Sequence, residues 1–229
     1  MLNKQAIVVH SGGMDSSICL ALAIKEFGPE NILSVTFDYH QRHQPEILQA
    51  KKICHDWKMD HVILEIDCLK EITQDALLHH DIEITHQNGQ PPNTLVIGRN
   101  GLMGRVAGIQ AHSLGASCIY MGVIEVDSAN SGYRDCSRDY MDRLEELLRI
   151  DFADPNFEIR TPLVHMTKRE SLEYADSLGV LDYLLAETIT CYNGKRYWGC
   201  RECPSCVLKN EGIREYAEAY PDYVLPVQY

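Results

Sequence analysis

Ala6-Ile7-Val8-Val9-His10-Ser11-Gly12-Gly13-Met14-Asp15-Ser16-Ser17 is the stretch that decides the architecture. Its four apolar residues read as a short buried strand. A helix is expected from about residue 15 to residue 27, where Gly28-Pro29 stops it. In the turn between them, Gly12 and Gly13 allow close backbone approach and φ > 0. Ser11, Ser16 and Ser17 supply hydroxyl donors. The free N–H groups at the helix N-terminus favour an anion by about 0.3–2 kcal/mol. The turn lacks the Gly-Lys-Ser/Thr ending of a Walker loop and is not Gly-x-Gly-x-x-Gly. Asp15 would repel a phosphate unless it caps the helix or helps to hold Mg²⁺. A plain βα turn is the alternative, because Ser, Gly and Asp are all common in turns.

Further along the chain, apolar runs at 32–37, 61–66, 118–122 and 157–160 alternate with helical patterns at 44–57, 101–115, 134–150 and 167–178. Thr167 and Glu170 form a capping box. The small residues of 101–115 suit close packing on a sheet. The polar stretch 73–93, with His79, His80 and His86, reads as a helix leading into a long loop. A last helix runs through Glu211 and Glu218. Strand–helix alternation predicts an α/β fold: an open, doubly wound, mainly parallel five-stranded sheet with helices on both faces. Ligands bind beyond the carboxyl ends of such strands. Residues 1–229 read as one domain.

Apolar residues make up 45% and charged residues 24%, an ordinary globular balance. A net charge of -12 argues against a nucleic-acid partner, since phosphate neutralisation needs clustered Lys and Arg, and favours a small-molecule substrate. There is no apolar run near 18 residues and no signal-peptide h-region, so no membrane partner is expected and the expected location is the cytoplasm.

Nine cysteines in that setting are expected to be reduced. Cys191, Cys200, Cys203 and Cys206 fall together and give four thiolates within reach of one ion. They make a structural zinc segment over 188–212 or, alternatively, an iron–sulfur site.

The loop Ser-Gly-Gly-x-Asp-Ser resembles the PP-loop of the ATP pyrophosphatases, which attack the α-phosphate of ATP, adenylate a substrate oxygen and release pyrophosphate. Further strings accompany it: Phe37-Asp38-Tyr39-His40-Gln41-Arg42-His43, Gly98-Arg99-Asn100, Asp127 with Ser131-Gly132-Tyr133-Arg134-Asp135-Cys136, Thr161-Pro162-Leu163 with Lys168, and Glu187-Thr188-Ile189-Thr190-Cys191-Tyr192. In this order they resemble the 7-cyano-7-deazaguanine synthase family over essentially the whole chain. That resemblance implies an adenine nucleotide alpha hydrolase-like, Rossmann-like fold. It also implies a ligase of queuosine biosynthesis, in which ATP with Mg²⁺ activates 7-carboxy-7-deazaguanine, ammonia gives an amide, and a second activation dehydrates the amide to a nitrile. With no glutaminase segment in 229 residues, the ammonia is expected to be free.

The resemblance places the nucleotide on His10, Ser11, Gly12, Gly13, Met14, Asp15, Ser16, Ser17, Ile18, Cys19 and Leu20. It places zinc on Cys191, Cys200, Cys203 and Cys206, and it makes a homodimer the expected assembly. Catalytic candidates are Ser16, Arg99 as a charge clamp, and Asp127 as a polar or metal-binding anchor. Arg99 read structurally would pair with a carboxylate, Asp135 would cap the helix that follows it, and Lys168 would be an exposed first-turn residue. The family has Gly at position 40, Pro at 97 and 134, Arg at 137 and an apolar residue at 10. The departures at His40, Arg134 and Ser137 flank the expected pocket. Three other readings follow: a relative that passes the activated acid to another amine, a tRNA-thiolating PP-loop enzyme, and a non-catalytic nucleotide- or zinc-binding module.

Overall fold

The computed structural model describes residues 3–41, 44–79, 81–83, 93–125 and 133–226. Strands β1 (Ala6–Val9), β2 (Ile32–Asp38), β3 (Asp60–Glu65), β4 (Cys118–Met121) and β5 (Glu158–Arg160) form a five-stranded sheet in the order β3-β2-β1-β4-β5. All four pairings are parallel. The residues of β4 and Ala6, Ile7 and Val8 of β1 are buried, as expected of central strands covered on both faces.

The helices are α1 (Met14–Phe27), α2 (Gln44–Asp56), α3 (Cys68–Ile72), α4 (Arg99–Leu114), α5 (Arg138–Phe152), α6 (Lys168–Ser177), α7 (Leu181–Glu187) and α8 (Pro204–Ala219). One core cluster joins Ile18 and Leu20 of α1 to Ile53 of α2, Leu172 of α6, Leu184 of α7 and Ile213 of α8. A second joins Leu69 of α3, Met103 and Ala107 of α4, and Met141, Leu144 and Leu148 of α5. The sheet lies between them, a three-layer doubly wound arrangement.

One sequence expectation is corrected, one helix was missed and one expectation is extended. Within 73–79 there is no helix; the helix lies earlier, as α3. Asp75 Oδ1 accepts from the N–H groups of Leu77 and Leu78, both at 3.0 Å, and this local bonding competes with helix formation. Residues 80 and 84–92, with His80 and His86, lie outside the described residues. Helix α7 was not anticipated, because its seven residues are too short for a periodic signal. The small residues of α4 do pack on the sheet, where a Cβ on Gly104 would lie 3.0 Å from Met121 Sδ, and they admit a second helix as well. A Cβ on Gly104 would lie 2.8 Å from Leu144 Cδ2, and one on Gly108 would lie 2.7 Å from Leu148 Cδ1.

Strand order reverses at β1, with β2 on one side and β4 on the other, so the crevice between β1 and β4 is the topological switch point. Val9 is level with Val35 and Met121, so the segments after β1 and β4 leave the sheet together. They are closely packed there: a Cβ on Gly122 would lie 2.7 Å from the Ser16 backbone nitrogen. Only glycine after β4 lets the first turn of α1 sit so near the sheet.

Candidate functional site

The loop after β1 is closed by its own hydroxyls. Ser16 Oγ donates to Gly13 O at 3.1 Å and accepts from Ser11 N–H at 3.1 Å, and Ser11 Oγ lies 3.1 Å from Ser16 Oγ. The two glycines act differently. Gly12 has φ +85°, and a Cβ there would lie 2.4 Å from Glu46 O, so its missing side chain makes room for α2. Gly13 is extended (φ -80°) and is the N-cap of α1, with no side-chain cap. The freedom to take φ > 0 is used at Gly12 and not at Gly13, where an N-cap takes extended backbone. Ile189 N–H donates to Gly12 O at 3.3 Å and ties the loop to the segment entering the cysteine cluster.

His10 lies wholly inside the fold, with Nε2 3.0 Å from Ser17 Oγ and Nδ1 3.2 Å from Ser34 Oγ. Ser17 Oγ already donates to Gly13 O at 2.7 Å, so His10 Nε2 carries the proton and donates, while Nδ1 accepts. Burial, with a smaller push from His61, lowers its pKa to about 3, which keeps the ring neutral. This explains a polar residue where an apolar one is usual: the ring pins β1 to β2 and to α1.

A chamber of about 530 Å³ opens at the switch point, within the size range of small-molecule sites. The loop, Arg99, Glu46 and Lys168 all border it. Lys168 was expected to be exposed, but its side chain is 8% exposed and its Nζ stands 2.5 Å from Asp15 Oδ2. Helix α6 packs over α1 and points its first turn at the loop, which spacing along the chain does not reveal. Asp15 is not a cap. Its Oδ1 is buried with no hydrogen-bond partner among the described residues, as is Thr190 Oγ1.

Arg99 opens α4 beyond Gly98, which takes the left-handed conformation (φ +72°). The carboxylate pairing offered as its structural alternative is not what it makes among the described residues: Nη1 donates to Tyr39 Oη at 3.2 Å, and the guanidinium lies 5.6 Å from that ring. Glu46, in the first turn of α2, is half-buried. Burial pushes its carboxyl up to about 8, Arg99 opposing and Cys191 adding. Sequence reading missed Glu46, since an acid in a first helical turn reads as an ordinary surface residue. Asp135 does not cap the helix after it. Its Oδ2 accepts from Asn100 N–H at 2.9 Å and so caps α4, while Ser137 caps α5.

The four cysteines come together: one ligand sulfur from each of Cys191, Cys200, Cys203 and Cys206 lies within 4.8 Å of the others. Zn–S bonds of about 2.3 Å at tetrahedral angles put sulfurs about 3.8 Å apart, so the spacing fits a single ion. An iron–sulfur cubane would spread them further, because the cluster core lies between the thiolates. Two sulfurs accept backbone N–H bonds, Cys191 from Asn193 at 3.3 Å and Cys200 from Cys203 at 3.2 Å. Cys203 and Cys206 sit at the N-terminus of α8, whose dipole favours thiolates. At Gly199 (φ +66°) a Cβ would lie 2.2 Å from Cys206 Sγ, so any side chain there would fill the space around the sulfurs.

Of the loop residues expected to bind nucleotide, His10, Ser11, Gly13, Met14, Asp15 and Ser16 border the chamber. Ser17 is buried beneath the loop, Gly12 faces α2, and Ile18, Cys19 and Leu20 belong to the core. Asp127 lies outside the described residues. The sequence departures are also placed. His40 takes φ +59° and pairs with Asp67 at 2.9 Å; Arg134 is exposed and Ile97 is 85% exposed; Ser137 is a helix cap. None of these four borders the chamber.

A Ser-Gly-Gly-x-Asp-Ser loop at the switch point of a parallel sheet, with a buried lysine beside it, defines a PP-loop, ATP-dependent class of enzyme site. Within that class the chain belongs to the queuosine biosynthesis protein QueC family, whose model matches residues 5–217. Among solved structures it is similar to NMN synthetase from Francisella tularensis (12% identity, 99% of this chain and 90% of that chain covered, TM-score 0.49). It is also similar to the U34-tRNA thiolase NcsA from Methanococcus maripaludis with its 4Fe-4S cluster (15%, 100% and 76%, 0.49). A third is a 4-thiouridine synthetase–RNA complex with bound ATP (17%, 96% and 53%, 0.46). No helix among the described residues is long and apolar enough to cross a membrane.

Proposed function

We propose that the chain adenylates 7-carboxy-7-deazaguanine and, with free ammonia, converts it through the amide to the 7-cyano compound, acting as a C–N bond-forming ligase. The observation that carries this reading is one chamber bordered at the loop by Ser11, Gly13, Ser16 and Lys168 and elsewhere by Arg99. Nucleotide phosphates and a carboxylate then meet cations in a shared space. A carboxylate oxygen leaves poorly, whereas the same oxygen in an adenylate leaves as AMP, whose charge the site stabilises. The amide oxygen is activated in the same place.

In this reading Ser11, Gly13 and Ser16 hold the pyrophosphate portion, and Ser16 stabilises the charge that grows on it. Lys168 supplies the counter-charge, Arg99 orients the acid, and Asp127 anchors the substrate side. The partnerless Asp15 Oδ1 is suited to a hard cation and would hold Mg²⁺. When bound, Mg²⁺ neutralises the developing phosphate charge. Zinc on the four cysteines within 188–212 closes the segment that carries Thr190 and Tyr192 to the chamber; with no open coordination position it acts in folding. One domain over 1–229, a homodimer and a cytoplasmic location complete the proposal.

Transfer of the acid to a different amine drew its support from the changes at His40, Arg134 and Ser137. Since these do not border the chamber, ammonia is the acceptor we assign. Incubation with the acid, ATP, Mg²⁺ and ammonium tests the whole reading by mass spectrometry. Nitrile formation supports it, and an activated acid that stalls or modifies protein overturns it.

A further inference from the structure

Glu46 and Arg99 border one chamber, and no ion pair joins them. Arg99 spends one N–H on the Tyr39 phenol. Glu46 makes no hydrogen bond or ion pair with a described residue. A half-buried carboxyl with no donor among the described residues is costly to leave so, and a chamber that it shares with a cation it does not touch has room for a ligand that meets both. The walls around the pair are apolar and phenolic: Phe37, Leu77, Met103, Tyr39, Tyr133 and Tyr192. The phenols are engaged elsewhere. Tyr133 Oη lies 2.9 Å from Thr94 Oγ1, Tyr192 bonds to Tyr133, and Tyr39 accepts from Arg99. Among the described residues of this wall Glu46 therefore remains as the acceptor able to meet a flat ligand that also reaches the rest of the Arg99 fork.

Two carboxylate oxygens match two adjacent N–H donors in the way they match a guanidinium fork. We infer that Glu46 is a specificity-determining residue that reads an amidine-type edge, a ring N–H beside an exocyclic amino group, on a flat heterocycle whose oxygen-bearing side lies toward Arg99. This rests on the proposed reaction in taking the ring to be the deazaguanine of the acid, which carries such an edge on the side away from its carboxylate. It goes further by assigning the recognition to one residue and one edge.

Calorimetric titration with the parent ring 7-deazaguanine and with 7-deazahypoxanthine, which lacks the amino group, tests this on the full chain. The wild type is expected to prefer the amino ring by about 10-fold or more. In Glu46→Gln, whose amide opposes one donor with another, the preference falls to within about threefold, and Glu46→Asp restores part of it. An unchanged preference in Glu46→Gln, or no preference in the wild type, overturns the inference. If Glu46→Gln does not fold by its melting curve, Glu46→Asp decides: a preference shifted about threefold or more supports the assignment and an unchanged one overturns it. A preference that follows residue 46 in a protein that never consumes the acid leaves this inference standing and removes the reaction. Acid turnover without amino-group preference does the reverse.

Discussion

Lys168 Nζ stands 2.5 Å from Asp15 Oδ2, joining the first turn of α6 to the first turn of α1 at the mouth of the Ser-Gly-Gly loop. The ion pair holds a cation where a phosphate would arrive and leaves the second Asp15 oxygen without a partner among the described residues. Lys168→Ala is therefore expected to lower acid-dependent pyrophosphate release by about 10²–10³-fold, the scale seen when one preorganised stabilising group is removed. A fall below threefold in a stopped pyrophosphate assay, with the melting temperature retained, would count against a role for this lysine at the phosphates.

Gly12 at φ +85° abuts the Glu46 carbonyl. Gly12→Ala combines a left-handed alanine with a Cβ only 2.4 Å from the Glu46 carbonyl oxygen and is expected to cost about 2–5 kcal/mol in urea unfolding. A loss under about 0.5 kcal/mol would contradict the observed packing of the loop on α2.

His10 makes acid stability a direct readout of the buried network. Its folded pKa is about 3 against 6.5 for the ordinary imidazole. Between those values the unfolded chain carries the extra proton, so stability falls as pH drops through that window and is indifferent to His10 above it. Wild type is expected to lose about 1.4 kcal/mol per pH unit more than His10→Leu across pH 6 to 4. Equal slopes for the two proteins would show that the ring is not held neutral.

The sequence carried the sheet because strand and helix periods differ and each run was long enough to display its period. It carried the loop and the four cysteines because both are contiguous patterns whose chemistry is local. It did not carry Lys168, whose burial depends on α6 crossing over α1, nor Glu46, which looks like any first-turn acid until α2 is packed on Gly12. Asp135 shows the same limit. From the chain it could cap only its own neighbour, yet folding brings Asn100 to it from 35 residues away. His40, Arg134 and Ser137 were expected to flank the pocket as departures from the family pattern; their neighbours Tyr39, Tyr133 and Cys136 border it and they do not. Adjacent residues on an irregular segment point different ways.

That placement has a consequence for His40. It adopts φ +59° with its exposed ring on Asp67, away from the chamber lining. His40→Gly is expected to change KM for the acid by less than about twofold, because an exposed ion pair contributes only about 0–1 kcal/mol. A tenfold change would place residue 40 in substrate recognition.

The sulfur cluster predicts one zinc per chain by elemental analysis and no iron absorbance near 400 nm. Stripping the metal with a strong chelator is expected to lower the melting temperature by about 10 °C or more, because binding free energy at such a site is folding free energy. Iron in the purified protein would replace the zinc assignment.

The adenylation itself is tested most directly with ¹⁸O in the carboxylate of the acid. Attack of that oxygen on the α-phosphate at the Ser11–Ser16 loop, followed by ammonia, transfers one ¹⁸O to AMP. Mass spectrometry is expected to find singly labelled AMP formed in step with the amide. Label appearing in inorganic phosphate, with ADP as the nucleotide product, would contradict the account.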